Sequence, residues 1–246
     1  MIGLVINGAL KGFGQLAADP KLRTILWRSL LLAAGAVVIA LVAAWLATDY
    51  LLGIYLSAID GWIINVAEVG SVITIAGLMW ILFPAIVTGI AGMFLDGAAK
   101  AVEDRHYPGD LPGEEPPLWP SVWNSVKFTA MVVGVNLLLV PLYIIGIFFP
   151  PLLLLIFAIN GWLLGREYFE LVGYRHLKPG EIYDARRKNS STVLLGGIAI
   201  ALGFTIPFLN LIVPVVGIAM MVHIFKGLEK RGKIARAESS HIQATN

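Results

Sequence analysis

Four stretches of this chain run long and apolar without a charged side chain: Ser29–Thr48 with 20 residues, Val69–Leu95 with 27, Phe128–Gly165 with 38 and Val193–Phe225 with 33. At about 1.5 Å of rise per residue, 20 residues cover a hydrocarbon core of roughly 30 Å, so the first run predicts one full transmembrane helix. The second is long enough to cross with tilt or with a kink at Pro84. Between them, Tyr50–Ala67 stays apolar and carries Tyr50, Tyr55 and Trp62, the composition of a segment lying in the membrane interface. The last two runs are interrupted by helix breakers, at Gly146–Pro151 and at Pro207–Pro214. For the fourth run a central turn leaves only about 14 to 15 residues per arm, short of the roughly 20 that a crossing needs. Two half-depth helical hairpins are therefore expected. Broken backbone at that depth is tolerated where it is buried in protein or lines a wet cavity. The turns are thus either pathway elements or packed corners in which Asn210 satisfies backbone groups.

Charge sets the orientation of these elements. The 18 Lys and Arg residues fall at 11–28, 100–127, 166–188 and 226–236, and none occurs in the 71 residues between Arg28 and Lys100. Asp49, Asp60 and Glu68 lie in that gap, so the positive-inside rule places the 49–68 connection outside and the basic segments, with both termini, in the cytoplasm. Both hairpins then enter and leave by the cytoplasmic side. Composition agrees: 58% apolar residues and 14% charged ones are far from a soluble domain. Mean hydropathy is +0.81. The fold class expected is an all-α integral membrane protein with two long transmembrane helices and two partly penetrating, re-entrant hairpins. It forms one membrane domain over 1–246, with transmembrane helices at 24–48 and 69–99 and hairpins at 128–165 and 193–225.

The remaining pieces are small. Residues 100–127 read as an extended, Pro-rich cytoplasmic linker, and 229–246 as a charged cytoplasmic tail. Over 1–17, Ile2, Val5, Ile6, Ala9, Phe13 and Leu16 recur at helical spacing, which predicts an amphipathic interfacial helix despite Gly3, Gly8, Gly12 and Gly14. This start lacks a basic leading region and an A-x-A site, so it is not read as a signal peptide.

The net charge of +2 is too small to argue for nucleic acid, and the bilayer is the partner that the bases imply. With no Cys there is neither a disulfide framework nor a thiolate metal site. His106, His176, His223 and His241 are too scattered to propose a metal site, no cofactor is implied, and no hydrolase or nucleotide motif is present, so an enzyme is not expected. The four runs contain no Asp, Glu, Lys or Arg, which counts against a proton relay at mid-membrane. A pathway would be lined by backbone, hydroxyls and the amides Asn136, Asn160 and Asn210.

What the chain offers is anion chemistry. Asp19-Pro20-Lys21-Leu22-Arg23-Thr24 reads as a helix start, with Asp19 as cap and Pro20 at the first helical position. Free backbone N–H groups, the positive dipole end and Arg23 would converge there on an oxyanion. The other reading is that Lys21, Arg23 and Arg28 anchor the span to headgroups. Helix starts after Pro151 and Pro214 would add two more positive ends within the membrane. Arg166 and Glu170 are spaced as an ion pair on one helix face.

Three segments taken together, Phe94–Pro108 (FLDGAAKAVEDRHYP), Asn160–His176 (NGWLLGREYFELVGYRH) and Ile206–Gly217 (IPFLNLIVPVVG), resemble the CysZ sulfate permease family, grouped with the etoposide-induced membrane proteins. The resemblance covers about residues 5–228. It implies a bacterial inner-membrane permease that supplies sulfate for cysteine biosynthesis. It also implies a Gly-Leu-Arg-type sulfate-binding element before the first span, often followed by a second Arg. The matching residues here are Lys21, Leu22, Arg23 and Thr24: the Arg is kept, Lys replaces the Gly and Thr replaces the second Arg. Half-depth hairpins with broken backbone further predict a homo-oligomer, at least a dimer. The rival expectation is a non-transporting membrane scaffold or assembly factor of the same grouping.

Overall fold

The computed structural model describes residues 1–56, 69–71, 73–75, 77, 94–114 and 118–234, with side chains described for all of these but 51–56, 118–122, 124–129, 132–133 and 136. The elements are α1 (Ile2–Ala18), α2 (Pro20–Leu56), α3 (94–106), α4 (Leu118–Phe148), α5 (Pro151–Gly173), α6 (Pro179–Lys188), α7 (Ser190–Thr205) and α8 (Leu209–Lys230). Residues 69–71, 73–75 and 77 are helical as well, and no strand occurs among the described residues. The protein is all-α, as expected. It divides into two compact units, one of residues Thr24–Phe94 and one joining Met1–Arg23 to Leu95–Asn246.

The first unit is carried by α2, whose apolar span Pro20–Tyr50 is only 6% buried. Leu31, Val38, Ile39 and Trp45 are exposed on it, so this helix has the surface of a lipid-facing crossing. Most of the second crossing expected over 69–99, together with Pro84, lies outside the described residues.

In the second unit α8 is the core. Its apolar window is 83% buried, and α1, α5 and α7 pack around it. Two of these helix contacts depend on glycine, because a β-carbon would meet backbone. A side chain at Gly8 would approach the Met220 carbonyl at 3.1 Å, and one at Gly12 the Val216 carbonyl at 3.1 Å, so α1 lies directly on α8. Between α5 and α7 the approach is closer still: a β-carbon on Gly197 would overlap the backbone of Gly161 and Gly165, and one on Gly165 would overlap the Val193 carbonyl. Gly161 and Gly165 are four apart on one helix face, the small-residue spacing that lets membrane helices touch backbone to backbone. The α1 glycines that weakened its helical reading are thus contact residues in two cases.

α4 and α5 pack on each other across a short turn, and so do α7 and α8. The first turns where expected, with Phe149 N–H bonded to the Ile145 carbonyl and α5 beginning at Pro151. The second differs from expectation. Its turn is Ile206–Phe208, and Pro214 lies inside α8 instead of starting it, so the positive helix end expected after Pro214 falls at Leu209. Phe208 has a positive φ of 64° with ψ −36°, and the Leu209 N–H donates to the Pro207 carbonyl at 2.8 Å, a tight turn that reverses the chain. The linker expected over 100–127 is also shorter than read: α3 continues to 106 and α4 starts at Leu118.

Three helices among the described residues are long and apolar enough to cross a membrane, namely Pro20–Tyr50, Pro151–Gly173 and Leu209–Lys230. The second arms of both hairpins therefore exceed the arm length that the uncharged runs suggested, because each continues beyond its run into residues that carry charge. α7, with 16 residues, rises only about 24 Å. α1 splits its apolar residues between two sides. Val5 and Leu16 are buried, whereas Ile2, Ile6, Leu10 and Phe13 stay exposed.

Candidate functional site

The start of α2 is built as its sequence suggests, but the anion cradle is already taken. Asp19 follows α1 in extended conformation, and its carboxylate accepts the Lys21 N–H at 2.9 Å and also binds the Leu22 N–H. The Arg23 N–H donates to the Asp19 carbonyl at 3.1 Å, and Pro20 has no N–H to offer. The expected convergence of free backbone donors with Arg23 is thus corrected: the helix's own cap uses them. Burial alone would raise the Asp19 pKa. The Gln15 amide at 3.1 Å, the two backbone N–H groups and Arg105 at 3.6 Å outweigh it, and the carboxyl is held below its usual range.

Side chains remain at this helix start. Leu22 is fully buried, while Lys21, Arg23 and Thr24 are exposed. Lys21 and Arg23 are two positions apart and point to different sides of the helix, so one small anion does not meet both; Thr24 flanks Arg23. Asp19 lies beneath them as a competing negative charge. Two changes test whether this helix start binds sulfate, by calorimetry on folded protein. Arg23→Ala is expected to cost about 1.5 to 3 kcal/mol, the worth of charge-assisted hydrogen bonds, or roughly 10- to 150-fold in affinity. Asp19→Asn, which keeps a cap but removes the repelling charge, is expected to tighten binding; unchanged affinity in both variants would remove this helix start from the site.

Among the pathway amides, Asn160 is half-buried and donates to the Ile156 carbonyl at 3.1 Å and to the Tyr143 hydroxyl at 3.3 Å, tying α5 to α4. Asn210 is exposed in the first turn of α8, and the Asn136 side chain is outside the described residues. Asn160 stands nine residues into α5, about 13 Å from its hairpin tip, whereas Asn210 is at a tip. Among the described side chains, Asn160 and Asn210 share no hydrogen bond. The expected Arg166–Glu170 pair is present at 2.9 Å, and Arg186 joins it at 3.2 Å.

A second polar centre was missed by sequence reasoning, although its residues lie in or beside the motif segments. Glu103 of α3 is buried and receives Arg175 through two bonds, Nη2 to Oε2 at 3.0 Å and Nε to Oε1 at 3.3 Å. His176 Nε2 lies 2.8 Å from the same carboxylate, and its ring stacks on Phe225. Burial pushes the Glu103 carboxyl up, but the hydrogen bonds and charges of His176 and Arg175 prevail and hold it at about 2. One turn beyond, Lys226 is buried at the end of α8, with Asp110 at 3.1 Å and Glu229 at 3.6 Å. Tyr107 bonds His223 at 2.7 Å, and the Glu114 N–H donates to the Arg175 carbonyl at 2.8 Å. Segment 107–114 is thus strapped across the ends of α5 and α8. The signal in the sequence was the placement of Glu103, Arg175, His176 and Lys226 at the ends of apolar helices, where opposite charges must find one another.

No group of three or more potential metal ligands occurs among the described residues. No curated protein matches the chain. The family model described as "Sulfate transporter CysZ/Etoposide-induced protein 2.4" matches residues 9–214, a stretch that takes in both hairpin turns, the α2 start and the Glu103–Arg175–His176 centre. The chain belongs to the sulfate transporter CysZ/etoposide-induced protein 2.4 family.

Proposed function

We propose that this protein is a sulfate permease of the bacterial inner membrane, passing sulfate inward for cysteine biosynthesis. The observation that carries the reading is the family match across residues 9–214. In this reading the hairpins are re-entrant and enter from the cytoplasmic side, where both termini lie. Two features support that arrangement. α7 is shorter than the roughly 30 Å hydrocarbon core, and the hairpin tips are apolar, with Phe148, Phe149 and Phe208 exposed. The apolar runs contain no acid, which favours a conduit driven by the sulfate gradient over a proton relay, with no chemistry done on the solute. The permease works as a homo-oligomer, in which a second copy covers broken backbone.

Uptake of radiolabelled sulfate into proteoliposomes, with competing anions, tests the reading; uptake equal to that of protein-free vesicles would sink it. Sidedness is tested by single cysteines in this cysteine-free chain. Glu114→Cys and Asp184→Cys, both at exposed positions, are expected to react with an impermeant maleimide only after permeabilisation. Ser57→Cys, outside the described residues, is expected to react in intact cells. External reaction at Asp184 would mean an odd number of crossings in the α4–α5 hairpin.

A specific observation favours a second reading. With Asp19 occupying the α2 start, and Lys21 and Thr24 in place of the family's Gly and second Arg, the element for sulfate is altered, which suits a non-transporting scaffold. In that case the strapped cytoplasmic surface is the working part, and the proteoliposomes stay silent.

A further inference from the structure

Two helix ends that both finish in bases are tied together by one buried amide. Asn189 caps α6 and is 6% exposed, and its Nδ2 donates to the Ala185 carbonyl at 2.9 Å and to the Lys233 carbonyl, just past α8, at 3.4 Å. The α8 side of that bond is equally well built. Gly232 has φ 66° and its N–H donates to the Glu229 carbonyl at 2.9 Å, while the Lys233 N–H donates to the Leu228 carbonyl at 3.0 Å, the paired bonds of a Schellman cap. Ile234 follows and is 4% exposed. The backbone of this corner is therefore fixed where its side chains depart.

Those side chains are basic and open. Arg187 and Lys188 on the α6 side and Arg231 and Lys233 on the α8 side are exposed, and none of them makes an ion pair with a described residue. Arg186 and Lys226 close by are paired instead, with Glu170 and with Asp110 and Glu229. Asp184 is the acid nearest to the first pair along α6, and it leaves a surplus of positive charge. Two helix C-termini absorb part of that surplus, but each is worth roughly half an elementary charge, and Arg231 and Lys233 lie beyond the last turn. An apolar stripe begins beside the corner. Ser191, Leu195 and Leu202 share one face of α7 by helical period, with Ser191 and Leu202 exposed and Leu195 half-exposed. Bases at the end of an apolar, uncovered helix face match a phospholipid, whose phosphate meets the bases and whose acyl chains lie along the helix. A nucleic acid or an acidic protein would use the charge and leave the stripe bare.

We propose that the corner between α6 and α8 holds an anionic phospholipid with two phosphates, of the diphosphatidylglycerol type. Arg187 and Lys188 take one phosphate, and Arg231 and Lys233 take the other. Two pairs of bases on two elements stapled by Asn189 match two phosphates on one short linker. The proposal rests on α7 meeting the bilayer and owes nothing to sulfate.

The test is native mass spectrometry of the full-length protein from detergent micelles, titrated with tetraoleoyl diphosphatidylglycerol, dioleoyl phosphatidylglycerol or sodium pyrophosphate. Wild type is expected to hold the two-phosphate lipid roughly tenfold more tightly than the one-phosphate lipid, and pyrophosphate far more weakly than either. The double variant Arg231→Gln/Lys233→Gln, changed at exposed positions, is expected to lose that tenfold preference, while Arg23→Ala keeps it. Equal affinity for the two-phosphate lipid in wild type and the double variant overturns the site; if the melting temperature of the variant falls at the same time, the bases serve the helix ends alone. Equal affinity of wild type for the two lipids overturns the assignment of two phosphates. Pyrophosphate bound as tightly as the two-phosphate lipid overturns the lipid. Micelles have no sides and the titration contains no sulfate, so failure here leaves the permease reading intact, and silent proteoliposomes leave this site standing.

Discussion

Gly197→Ala is expected to be among the most damaging single-methyl additions in this protein. The added β-carbon would overlap the carbonyl of Gly161 and the backbone of Gly165, and none of these atoms belongs to a side chain that can rotate aside. Relief requires α5 and α7 to separate along a contact that also seats Val193 against Gly165. Overpacking of cores costs about 1 to 3 kcal/mol where side chains can adjust. Against backbone the cost is expected at or above the upper end, about 3 kcal/mol, which for a chain of this size lowers Tm by roughly 6 to 12 °C. Gly14→Ala on α1 is the comparison, because nothing lies within 4 Å of its added methyl and helix propensity improves. Thermal melts in one detergent, followed by light scattering, decide the matter. Equal Tm for Gly197→Ala and wild type would mean that the helices are not in backbone contact.

The second large effect is expected at Glu103. Removing it by Glu103→Ala leaves Arg175, 3% exposed, buried without its countercharge and takes away the Glu103 contact of His176. Losing one partner of a buried pair costs about 3 to 5 kcal/mol, since the stranded charge keeps its desolvation penalty. The same centre predicts an acid limb. The folded carboxyl is held at about 2, below its ordinary value of 4.5, so the unfolded chain takes up the proton first as pH falls. Its contribution is complete above about pH 4.5 and is lost progressively down to about pH 2; at full strength it is worth on the order of 3 kcal/mol. Wild-type Tm should fall through that window more steeply than that of Glu103→Gln. Parallel pH profiles would show that another group carries the acid limb.

The helices and their turns were legible to the extent that charge and apolar length determine them. GIFFPP marked the first hairpin tip because Pro151 suits a first helical position and Phe149 closes the turn. Pro214 looked like an equal signal and was not. Sitting in the second turn of α8, it costs that helix one backbone bond near a free end, and the actual reversal is made by Phe208 in a conformation that side chains rarely adopt. At the α2 start the cap was readable, yet a cap that consumes the helix's donors leaves none for a ligand, and only the geometry of Asp19 made that plain. The Glu103 centre was out of reach for another reason. Its partners are 72 and 73 residues away, and nothing local in VEDRHYP says which cation comes to meet it.

The docking of α1 on α8 has a consequence for biogenesis. α1 rests on α8, a helix made roughly 190 residues later in the chain, which at about 5 to 20 residues per second is a wait of roughly 10 to 40 s. During that interval Val5, Gly8, Gly12 and Leu16 have no partner. The other side of the same helix keeps Ile2, Ile6, Leu10 and Phe13 exposed, an apolar face of the kind that binds a bilayer surface. Two apolar sides on one short helix thus suit two successive moments: one is open to lipid before α8 is made, and the other closes the core when α8 arrives.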